Sequence, residues 1–101
     1  MKKSEQEAFY KILMSAKESL NKKEIEAFRV KIASAFILDM DAPETHNLIG
    51  VMYEILGDEN LARKHYRAAY ALDPTFKPAC RNLERMVLDW KMRPQDYDFG
   101  I

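Results

Sequence analysis

Apolar residues recur at helical spacing in five stretches of the chain, separated by short polar or turn-forming interruptions. Ala8, Phe9, Ile12, Leu13, Ala16 and Leu20 share one stripe and predict a helix over 4–20, opened by a capping box of Ser4 and Glu7. Asn21-Lys22-Lys23 breaks it, and Ile25, Phe28, Ile32, Ala35 and Phe36 predict a second helix over 24–38. The third, over 44–56, carries Leu48, Ile49, Met52, Tyr53 and Leu56. Asp41 is its expected N-cap, with Glu44 adding favourable charge in the first turn. Gly57 is the residue expected where the chain turns left-handed past a helix, and Asp58 caps the next. That fourth helix, over 60–72, places Leu61, Ala62, Tyr66, Ala69 and Leu72 on its apolar side. After Asp73-Pro74-Thr75, a fifth over 76–91 carries Phe76, Ala79, Cys80, Leu83, Met86, Val87 and Trp90. Beyond Arg93-Pro94 the periodicity ends, leaving residues 94–101 as a tail.

Composition agrees with an all-α fold. Ala, Leu, Met, Glu, Lys and Arg supply 51 of the 101 residues, whereas Val, Ile and Thr supply 12, a balance that disfavours a β-rich chain. The length suits one domain, expected over 1–93.

Charge and chemistry narrow the function mainly by exclusion. Sixteen basic residues balance sixteen acidic ones, so the basic excess that a nucleic-acid partner calls for is missing. No apolar run is long enough to cross a membrane, the first residues are polar, and Cys80 is alone, so a cytoplasmic protein without membrane partners is expected. His46 and His65 stand nineteen residues apart on different helices, a spacing that forms no familiar metal site. No nucleophile–base pattern and no Gly-rich phosphate loop is readable. The expectation is therefore no catalytic residue, no metal, no cofactor and no enzymatic activity.

Gly50, Tyr53, Ala62, Tyr66, Ala69 and Pro74 form a spaced set within 43–76. Together with Gly57-Asp58 at the turn, they resemble a tetratricopeptide repeat, an antiparallel helix pair of about 34 residues. His46 stands where the family favours Trp, and Ile49 where Leu is usual. A divergent repeat over about 8–42 precedes it, with Ala35, Phe36, Leu38 and Asp39 matching Ala69, Tyr70, Leu72 and Asp73. The segment 76–91 then serves as a capping helix that covers the open end of the stack. The resemblance implies a right-handed superhelix in which Gly50, Ala62 and Ala69 allow close helix approach while Tyr53 and Tyr66 fill the gaps.

It also implies a concave groove lined by the first helix of each pair. Carried over by position, the groove residues are Glu44, Asn47, Val51, Glu54 and Ile55, followed by Pro78, Arg81, Arg85, Leu88 and Asp89. In the divergent repeat, Leu13 and Lys17 face the groove when Ala16 takes the small-residue position. The paired lysines and asparagines of the chaperone-binding subfamily are not reproduced. The implied function is a non-enzymatic protein–protein interaction module, with Asn47 gripping the backbone of a peptide or partner protein and Arg81 and Arg85 pairing with its acidic groups. The alternative is a structural protein that self-associates, as a homodimer in the simplest case, through its end helices or its tail. The tail alternates acidic residues with Tyr97, Phe99 and Ile101. It is expected either to pack on its own protein or a second copy, or to fray as a chain end.

Overall fold

The computed structural model describes residues 2–88 and 91–101; Asp89 and Trp90 lie outside the described residues. Among the described residues, five helices run in chain order: α1 Lys3–Asn21, α2 Ile25–Leu38, α3 Pro43–Leu56, α4 Glu59–Leu72 and α5 Lys77–Arg85. Among the described residues there is no strand, so the fold is all-α. Short connections fold each helix back on its predecessor: α1 packs on α2, α3 on α4 and α4 on α5, while α1 and α2 both touch α3.

Local chemistry sets most of the boundaries. Pro43 opens α3 at the first turn, where a missing N–H costs nothing. Gly57 ends it at φ 84°, with its own N–H and that of Asp58 returned to the carbonyls of Glu54 and Tyr53. The Asp58 carboxylate then accepts from the Leu61 N–H at 3.1 Å and caps α4. Asp73 ends α4 and accepts from both the N–H and the hydroxyl of Thr75. Those two bonds hold its carboxyl below the usual aspartate range.

Three expected boundaries are corrected. The Ser4–Glu7 capping box does not form, because α1 begins one residue earlier and its N-cap, Lys2, makes no side-chain bond. Asp41 does not cap α3; the N-cap is Ala42, and the Asp41 N–H is turned to the Asp39 carboxylate at 3.0 Å. The fifth helix ends at Arg85 rather than 91. Its last amides tighten to carbonyls three residues back, Val87 to Glu84 and Leu88 to Arg85, and guanidinium groups take the freed carbonyls. Arg93 donates to the oxygens of Met86 and Leu88, and Arg63 also reaches Met86. The expected stripe stops there: Met86 is buried, Val87 is exposed, and Trp90 falls outside the described residues.

One core runs through the stack from Phe9, Leu13, Ala16 and Leu20 of α1 to Ala79 of α5. Ala8 and Leu72, expected on apolar stripes, are exposed, as is Pro74 in its turn. Gly50 faces the ring of Tyr66, whose Cδ1 would lie 2.6 Å from any Cβ placed there. Ala62, Tyr66 and Ala69 are wholly buried, while Tyr53 is half-buried and stacks on His65.

Candidate peptide-binding groove

α1, α3 and α5 each contribute to one face of the stack, and residues 95–101 lie across it. The contact is organised around the backbone of one tail residue. Asn47 of α3 donates from Nδ2 to the carbonyl of Asp98 at 2.8 Å, and Asn82 of α5 donates to the same oxygen at 2.9 Å. The Asn82 side-chain oxygen accepts the Asp98 N–H at 3.0 Å. Asn82 also donates to Asn47 Oδ1 at 3.0 Å, so the two amides orient each other. Both asparagines are completely buried. A buried side-chain amide is costly unless its donors and acceptors are satisfied, and here the partner is the main chain of an extended segment.

Side chains complete the grip. Arg81 Nη1 meets Asp98 Oδ2 at 2.9 Å, and Asp98 Oδ1 accepts the Gly100 N–H at 3.0 Å. Lys17 of α1 donates to the Ile101 backbone oxygen at 2.9 Å and stands 5.6 Å from the centre of the Phe99 ring. The Arg85 guanidinium lies 5.0 Å from the centre of the Tyr97 ring. Burial, reinforced by the neighbouring Glu54, raises the Tyr97 hydroxyl above the usual phenol range.

Under the tail sits a buried ionic cluster. Side chains of Glu54, Arg85 and Arg93 retain only 4%, 8% and 9% of their exposure. Arg85 binds Glu54 through both terminal nitrogens, the Tyr66 hydroxyl donates to Glu54 at 2.7 Å, and Arg93 reaches Glu54 at 3.8 Å and Glu59 at 2.6 Å. Burial and the adjacent carboxylate push the Tyr66 phenol strongly upward, so it stays a donor. Glu54 and Arg85 were both expected to face a ligand. They neutralise each other instead, and Arg85 offers the tail its guanidinium face rather than its charge.

Of the other sequence-derived groove residues, Asn47 and Arg81 hold the tail and Val51 is buried. Ile55 lines a hollow beside Tyr97 and Phe99, and Pro78 lies near Gly100. Leu88 is exposed, and Asp89 is outside the described residues. Asn82 and Arg93 were missed. The Asn82 position lies between Arg81 and Leu83, and only its pairing with Asn47 across two helices gives it a role. Away from the groove, His46 and His65 meet with Nδ1 atoms 3.2 Å apart, stacked beside Tyr53 and edged by Phe36. Burial lowers both histidine pKa values, and for His65 the charges of His46 and Lys64 lower it further. Cys80 is half-buried.

No protein-family model matches the chain, and neither curated proteins nor solved structures give a match.

Proposed function

We propose that this chain is a non-enzymatic interaction module that binds an extended peptide segment of a partner protein across the face of α1, α3 and α5. The observation that carries the reading is the paired-amide grip of Asn47 and Asn82 on both the N–H and the C=O of Asp98. Main-chain bonds of this kind accept any sequence, and surrounding side chains then select among sequences. The tetratricopeptide resemblance supports the same reading, since its groove residues Asn47 and Arg81 are among those that touch the tail. A helical-repeat scaffold acting in the cytoplasm is the setting proposed for it. Self-association through the tail would require this segment to leave a surface that already satisfies its backbone.

Selection from a displayed library of short peptides, followed by NMR titration of the full chain, tests the proposal. Selected peptides should first move the side-chain amide signals of Asn47 and Asn82. Movement confined to Arg63 and Lys64 on α4 would refute it. Arg81 is the suitable loss-of-binding variant because its side chain is 65% exposed, whereas Arg85 is tied to the buried Glu54.

A further inference from the structure

The tail shows which segment the groove selects, given the binding reading above. Asp98 is read twice, by Arg81 from outside and by the Gly100 N–H within the segment. Gly100 adopts φ +80°, a conformation that side chains rarely take. A Cβ there would also lie 2.8 Å from the tip of the Phe76 ring and 3.1 Å from Asn47 Nδ2, so a larger residue would have to push both aside as well as strain the backbone. Tyr97 lies against Arg85, and Phe99 lies against Lys17 with its ring edge-on to Tyr97 at 6.4 Å. Ile101 packs on the core beyond them.

The form of this attachment is that of an exchangeable ligand. No residue from Gln95 to Ile101 is fully buried, in contrast to the core residues beneath. The strongest contacts run from groove side chains to tail backbone, and Asn47 and Asn82 could exchange them for bonds to water or to another strand. The Arg81–Asp98 pair is open to solvent on the Arg81 side, 65% exposed against 29% for Asp98, so it can part without disturbing the core. Arg93, anchored on Glu59, fixes the chain just before the tail and holds the segment close to its site. A tether this short gives an effective concentration on the order of millimolar.

We propose that the groove accepts, from a partner chain, an extended segment of the pattern aromatic–Asp–aromatic–Gly–aliphatic, and that Tyr97 to Ile101 is a built-in competitor which that segment displaces. The tail thereby sets a threshold. When the tail's own intrinsic dissociation constant is about 10–100 μM, its millimolar effective concentration weakens binding of the incoming segment roughly 10- to 100-fold.

The test uses full-length chains and a fluorescent peptide spanning residues 94–101, read by anisotropy. Gly100→Val and Asp98→Lys each loosen the tail while leaving every groove residue in place, and either alone is sufficient should the other misfold. Both variants should bind the peptide at least about tenfold more tightly than wild type. A peptide carrying Gly100→Val should bind none of the chains, and an Arg81→Glu chain should prefer a peptide carrying Asp98→Lys. Equal affinity of wild type and both variants would overturn the competition and leave the binding reading intact. Absence of binding to every chain would overturn both. A wild-type chain that sediments as a dimer and is separated by the peptide would make a second copy the occupant, and this too would overturn the proposal.

Discussion

Replacing Glu54 by Gln tests whether the ionic cluster beneath the tail holds the fold together. The substitution keeps the shape and removes one negative charge from a site where two guanidinium groups and a phenol converge. Exposure of 8% and 9% leaves Arg85 and Arg93 little access to water. Breaking a buried pair on one side costs about 3–5 kcal/mol, chiefly from the uncompensated charge left behind. Arg93 keeps Glu59 at 2.6 Å, which argues for the lower end, about 3 kcal/mol. A domain of this size has roughly 5–15 kcal/mol of stability, so the loss is large. Urea melts of wild type and Glu54→Gln measure it. The control is Glu18→Gln, which breaks an ion pair with Lys22 whose side chains are 66% and 61% exposed, and should leave the melt almost unchanged. Adding Arg85→Met to Glu54→Gln should recover part of the loss, since it removes the stranded charge. If Glu54→Gln melted like the Glu18 control, the reasoning would be wrong.

Two further outcomes follow from packing and titration. Gly50→Ala would ordinarily stabilise a helix by up to about 1 kcal/mol. Here the new methyl meets the buried Tyr66 ring, which its bond to Glu54 prevents from withdrawing, so overpacking of about 1–3 kcal/mol should lower the melting temperature; a higher one would refute the contact. The His46–His65 pair favours the neutral state in the fold, so its contribution is complete above the unfolded value near 6.5 and declines as pH falls through the depressed folded values. Melts across pH 5–8 should show this loss of stability below about pH 6.5, reduced in a His65→Gln chain, and an equal slope in both chains would refute the assignment.

The helices were legible in the sequence because their signals are local. Gly57, Asp58 and Pro43 each act within one turn of where they stand, and each does what its chemistry predicts. The end of α5 was not legible, because it depends on Arg93 returning to the carbonyls of Met86 and Leu88 and on Arg63 arriving from another helix. Apolar periodicity continues through Val87 and cannot register such a stop. The groove divides in the same way. Asn47 and Arg81 could be named because an off-stripe polar residue on a first helix has few other uses, and the resemblance supplied the face. Arg85 stands under the tail, where its position suggested, but its charge is spent elsewhere. An arginine expected to meet a ligand's acid finds Glu54 on the neighbouring helix, and burial makes that pairing nearly obligatory. Asn82 lies at the limit of sequence reasoning. A single asparagine in a polar helix carries no signal until a second one stands within hydrogen-bond distance, and the two together can fix an extended backbone that neither could orient alone.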